Sequence, residues 1–227
     1  MKPLPEKTII KELYIFLMSW ILRPAIIYVL AFSAILVLFV ILPQGNDLIN
    51  GGLLVEILFS LYGFATVLFV FVMGVFSARK LDMMVCMGAT RRQFAVVQLL
   101  SGITLSLIFP IVTLVCQIIL HDASFFGFLW EFSRAFILYL TGWIVVLGIQ
   151  IQRVVSVIVG SLVTIFIFSF SYTLFTFLHS ENGGINLFNS FVPSEALLPA
   201  TGINLLIIAV FLIAILLSTN RVAIKVP

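Results

Sequence analysis

Residues Ser77 to Phe94 read SARKLDMMVCMGATRRQF, the longest charge-bearing interruption in an otherwise apolar chain. It carries Arg79, Lys80, Asp82, Arg91 and Arg92 between two apolar runs, each long enough to span a bilayer, so it is a connector held at one membrane face. Leu81, Met84, Val85 and Gly88 fall at i, i+3, i+4 and i+7, the period of a short helix with one apolar side. Gly88 can close that helix, because glycine takes the left-handed conformation without steric cost. Thr90, three residues before Gln93, reads as a capping box that starts the next helix. Arg91 and Arg92 then sit in its first turn, where cations oppose the helix dipole at a cost of roughly 0.3 to 1 kcal/mol each. Two effects can place them there: basic residues beside a span hold that end in the cytoplasm, and the connector can be a docking surface, with Met83, Met84 and Met87 offering polarisable contacts to a soluble partner.

Composition sets the class. With 63% hydrophobic and 9% charged residues in 227 positions, the chain reads as an all-α polytopic membrane protein with no room for a separate soluble domain. Cys86 in the connector and Cys116 deep in a later apolar run do not suggest a disulfide framework. Nucleic acid is not an expected partner.

Lys2, Lys7 and Lys11 precede a segment in which Ile9, Leu13, Phe16, Leu17 and Trp20 share a helical face. It resembles the charged start of a signal peptide, but no small-residue cleavage site closes it. One helix over residues 8–42 would be about 50 Å long, against a hydrocarbon core of about 30 Å. Arg23-Pro24 therefore predicts a break, with residues 8–22 as an amphipathic helix in the inner interface anchored by Trp20. Spans are expected at 24–42, 53–76, 94–120, 135–151, 154–178 and 203–217, with the connector helix at 78–88. Pro110 predicts a kink in the third. With six spans and the amino terminus inside, eleven of the twelve Lys and Arg residues face the cytoplasm and Arg134 alone lies outside. Both termini are then cytoplasmic.

The outer segment 185–199 is too apolar for an ordinary solvated loop and too broken by Pro193 and Pro199 for a span. Short helices dipping into the outer leaflet and an interfacial loop with amphipathic turns fit it equally. Glu131 and Arg134 at i and i+3 can pair, and Trp130 fits the outer aromatic belt while Trp143 lies nearer the midplane. Ser156 and Gly160 form a small-x-x-x-small pair suited to close helix contact.

Several chemistries lack their residues. There is no G-x-x-x-x-G-K-[ST] string to cradle ATP. His121 and His179 have no partner at metal-ligand spacing. Apart from Glu56 near an outer mouth, no acid or base lies well inside an expected span, which disfavours an ion-coupled carrier and an intramembrane hydrolase. No catalytic, cofactor or metal residue is expected.

The connector, with Met87-Gly88-Ala89-Thr90-Arg91-Arg92-Gln93-Phe94 after its short helix, resembles the coupling segment of ABC transporter permeases, which inserts into a cleft of the ATPase subunit. The macrolide-exporter branch fits less well, because the loop 43–52 is tiny where that branch carries a large outer domain. The whole chain resembles a six-span type V exporter permease of the bacterial cytoplasmic membrane. The resemblance implies that Arg79, Leu81, Asp82, Met83, Met84, Met87, Gly88, Arg91 and Arg92 form the ATPase contact, and that Phe191, Pro193, Glu195, Leu198 and Pro199 belong to an outer gate formed by short helices. It further implies a pair of ATPase subunits, which would bind ATP and Mg, a second permease subunit in a homo- or heterodimer, and an amphipathic or apolar cargo such as a peptide, lipid or drug. A noncatalytic membrane scaffold, sensor or immunity protein that binds a peptide without moving it is the alternative, and a neighbouring gene for a lone ATPase would separate the two.

The charge distribution predicts that cysteines placed at Asp47, Asp122 and Glu181 react with an impermeant maleimide in intact cells while Cys86 does not. Labelling of Cys86 from outside would invert the topology.

Overall fold

The computed structural model describes residues 6–41, 66, 68–86, 89–119, 125–150 and 194–219, and among these every regular element is α-helical. In chain order they are α1 (Glu6–Ile41), α2 (Leu68–Ala78), α3 (Leu81–Cys86), α4 (Arg91–Ile119), α5 (Phe125–Gln150) and α6 (Ser194–Thr219). Among the described residues four apolar helical stretches are long enough to cross a bilayer, Thr8–Ala31, Arg91–Ile111, Gly127–Gln150 and Thr201–Thr219, and α2 is a shorter apolar helix. The expected fifth span, the first part of the second, the Ser156/Gly160 pair and residues 185–193 lie outside the described residues.

α5 is the centre of the bundle. Every residue from Ala135 to Trp143 is buried, as expected of a helix apolar on all sides. It lies against α2, α4 and α6. Against α4 it runs antiparallel: Phe94 meets Trp143, Gln98 meets Tyr139, and Gly102 faces Tyr139 and Phe136, so the contacts run in opposite order along the two helices. α6 turns one stripe inward, Thr201, Asn204, Ile208, Phe211, Ile215 and Thr219. Asn204 Nδ2 donates to Ser133 Oγ of α5 at 2.9 Å. Its outer face is bare hydrocarbon, with Leu206 and Leu217 more than 60% exposed, a surface suited to lipid and unfavourable in water.

α1 is one continuous helix through Pro24, which corrects the break expected at Arg23-Pro24. Leu13, Leu17, Ile21 and Ala25 form a buried stripe at four-residue spacing that crosses the proline without shifting face. α1 packs along α4, and Tyr14 Oη lies 2.8 Å from Thr104 Oγ1 of α4. A break would sacrifice that packing, whereas the proline removes one backbone bond. The segment 8–22 is therefore the first part of a longer helix packed on the bundle. Beyond the proline, Tyr28, Phe69 and Phe109 join α1, α2 and α4 through ring contacts of 5.1 to 5.8 Å.

Two other boundaries differ from expectation. α5 begins at Phe125, before the expected start at Ala135, and its amino-terminal part holds the expected Glu131–Arg134 pair at 3.0 Å. Trp130 is buried there, packed inside the bundle rather than standing in an outer belt. α6 begins at Ser194, so residues 194–199 continue the last apolar helix and are not separate broken helices. Pro199 is the sixth residue of α6, and its missing amide removes one intrahelical bond. α4 likewise continues through Pro110.

Two glycines set how closely α2 and α5 approach. A Cβ on Gly74 would strike the Tyr139 carbonyl, and one on Gly142 would strike the Phe71 carbonyl and the Val75 amide, whereas Gly202 on α6 faces open space. Backbone cannot yield as a side chain can, so Gly142→Ala should lower the thermal stability of the solubilised protein by roughly 1 to 3 kcal/mol. Gly202→Ala should leave it unchanged or slightly raised. Equal melting temperatures for the two variants would contradict the close crossing.

Candidate docking site at the connector helix

The connector is built from signals local to its sequence. α2 ends in a turn in which the Arg79 amide donates to the Val75 carbonyl at 3.2 Å and the Lys80 amide to the Ser77 carbonyl at 3.1 Å. α3 then covers six residues, LDMMVC. The Ala89 amide donates back to the Met84 carbonyl at 3.0 Å, the wide closing bond of a helix end whose intervening residue is usually glycine. Gly88 holds that position in the sequence and, like Met87, lies outside the described residues. α4 opens on the expected capping box: the Thr90 amide donates to Gln93 Oε1 at 2.9 Å, and the Gln93 amide donates to Thr90 Oγ1 at 3.2 Å.

The apolar side of α3 faces the protein's own bundle. Leu81 and Met84 are fully buried, and Val85 packs against the core at its edge. Met84 is therefore held against the protein's own bundle, unlike its neighbour Met83. Met83 is 45% exposed, Arg79 and Arg92 are exposed and Arg91 is half-buried. Asp82 lies on α3, its side chain outside the described set. Among the described side chains of the connector, those facing outward include Met83, Arg79 and Arg92.

Behind the connector lies a buried polar node that the sequence reading missed. Ser77 Oγ is 2.9 Å from Tyr139 Oη and accepts from Gln98 Nε2 at 2.6 Å. Tyr139 Oη is also 3.3 Å from the Gln98 carbonyl, and Ser77 Oγ is 3.1 Å from the Gly74 carbonyl. All three side chains are buried, and they come from α2, α4 and α5. The amide of Gln98 in an apolar span was the available signal, since a polar group at that depth needs partners.

At the other end of the chain's last helix, Glu195, Leu198 and Pro199 lie on the first turns of α6, while Phe191 and Pro193 fall outside the described residues. No group of three or more His, Cys, Asp or Glu is placed to hold a metal among the described residues.

Comparison with protein-family models, curated proteins and solved structures finds no match.

Thr90→Ala removes the hydroxyl acceptor at the start of α4 and should lower stability by about 1 kcal/mol, with Thr90→Ser close to wild type in thermal unfolding. Equal losses for both would show that the cap is not the cause.

Proposed function

We propose that this chain is the membrane-spanning permease subunit of an ATP-driven ABC exporter of the type V kind, with α3 as its coupling helix. The observation that carries the reading is the mounting of α3. Leu81 and Met84 are fully buried against the bundle while Met83, Arg79 and Arg92 face outward. A six-residue helix has too few hydrogen bonds to persist alone, so it is held by packing. A force applied to its outer face is then passed to α4 and α5, because packed interiors have low compressibility.

In this reading the connector and both termini face the bacterial cytoplasm. A separate pair of ATPase subunits binds ATP and Mg, and a second permease, identical or different, completes the pathway. The cargo is amphipathic or apolar, consistent with a chain whose spans carry few charges. Glu195, Leu198 and Pro199 would move as part of α6, so an outer gate would be worked by the last helix, with Phe191 and Pro193 at its threshold.

Burial separates the two neighbouring methionines. Met83→Glu should leave a monodisperse, folded protein that no longer co-purifies with a P-loop ATPase from native membranes and no longer supports substrate-stimulated ATP hydrolysis in nanodiscs. Met84→Glu should instead destabilise the chain itself, because it buries an unpaired charge. Normal ATPase assembly and normal stimulation in both Met83→Glu and Arg92→Glu would remove the coupling-helix assignment.

A further inference from the structure

Between α1 and α2, beside the connector, lies an open groove of about 490 Å³ lined by Ser19, Trp20, Arg23, Pro24, Met73 and Phe76, with Val72 on its wall. The lining changes character along its length. At the connector end, Lys80 Nζ lies 4.5 Å from the centre of the Trp20 ring and 5.0 Å from that of Phe76, a cation held over two aromatic faces. Arg23, one turn beyond Trp20 on α1, is exposed at the same groove. Further along, the exposed side chains are purely aliphatic: Ile26, Ile27 and Leu30 on α1, and Leu68 and Val72 on α2.

The groove's polar groups are cationic. The Ser19 hydroxyl is already used by the Phe16 carbonyl at 2.7 Å. Among the described residues the ion pair is Glu131–Arg134, on α5, so neither Arg23 nor Lys80 has a carboxylate partner there. Two cations without a carboxylate partner among the described residues, Lys80 over the Trp20 and Phe76 rings and Arg23 on the groove lining, beside exposed aliphatic side chains, match one kind of molecule in both charge and shape: a phosphate head with fatty chains. We propose that this groove binds one anionic phospholipid, its phosphodiester between Arg23 and Lys80, its glycerol region on Trp20 and Phe76, and a chain along Val72, Leu68 and Ile27.

The chemistry of each part follows from its surroundings. The guanidinium of Arg23 donates to phosphate oxygens in a planar fork, and the Lys80 ammonium supplies a second charge whose position the two rings fix in advance. Tryptophan suits the level where headgroup meets chain, having an apolar body and one polar edge. The basic residues of the connector place this end of the groove at the inner leaflet, where anionic lipids concentrate. The inference requires a bilayer and stands whether or not the chain couples to an ATPase.

The test uses the full-length protein in detergent, titrated with phosphatidylglycerol and separately with phosphatidylcholine of the same chains, and read by native mass spectrometry. One phosphatidylglycerol should be retained in preference to phosphatidylcholine. Arg23→Gln and Lys80→Gln should each reduce that preference roughly fivefold, the scale of one basic side chain at an anionic membrane surface. Lys11→Gln, a cation exposed on α1 and not part of the groove lining, should leave it unchanged. In nanodiscs, brominated phosphatidylglycerol should quench a component of tryptophan fluorescence that is absent from Trp20→Phe. Equal retention of the two lipids, or undiminished preference in the Arg23→Gln/Lys80→Gln double variant, would overturn the proposal. So would quenching that survives unchanged in Trp20→Phe.

Discussion

Tyr139 is completely enclosed at the crossing of three helices, and its hydroxyl lies within hydrogen-bond distance of Ser77 on α2 and of the Gln98 carbonyl on α4. Within a bilayer, apolar side chains gain little by leaving lipid for one another, so helices associate through close packing and interhelical hydrogen bonds. Both operate here. Gly74 and Gly142 let α2 and α5 approach until backbone meets backbone, and Gly102 makes room for the Tyr139 ring. At that separation the polar groups of Ser77, Gln98 and Tyr139 reach one another, which offsets the cost of removing them from water. Closeness and bonding therefore depend on each other: a side chain at either glycine would separate the helices and strand the polar groups.

The node lies next to the connector. Ser77 is in the last turn of α2, and its carbonyl accepts from the Lys80 amide in the turn that launches α3. Gln98 is two turns into α4, the helix that the Thr90 cap begins. The two ends of the connector are thus tied to one buried cluster, and Leu81 and Met84 fix the helix between them. Few hydrogen bonds hold α3, yet its position is determined from three directions. Such an arrangement suits an element that must transmit a displacement, since a loosely held loop would absorb it.

Much of this was legible where side-chain identity at a fixed spacing dictates a local bond. Thr90 and Gln93 form the box their spacing implies, Glu131 and Arg134 pair one turn apart, and the apolar side of the connector falls on Leu81, Met84 and Val85. What periodicity could not give was the identity of the surface that side meets, and it meets the bundle itself. Pro24 misled for a related reason. Its local preference against continuing the helix is overridden by the stripe from Leu13 to Ala25 that packs on α4, a tertiary gain spread over many residues. The node was hidden because Ser77, Gln98 and Tyr139 are far apart in the chain, and the one signal, the Gln98 amide in an apolar span, does not name its partners. Pro199 reads as a breaker in the sequence, but the helix from Ser194 runs through it.

The dependence of α3 on the node is open to direct measurement by amide hydrogen exchange of the protein in nanodiscs, comparing wild type with Tyr139→Phe. That substitution keeps the ring that fills the space beside Gly102 and removes the hydroxyl alone. If the node positions the connector, exchange at the Met84 and Ala89 amides, whose bonds define α3, accelerates roughly fivefold for the loss of about 1 kcal/mol of hydrogen bonding. Unchanged exchange at those amides, with or without loosening of the spans, would contradict it.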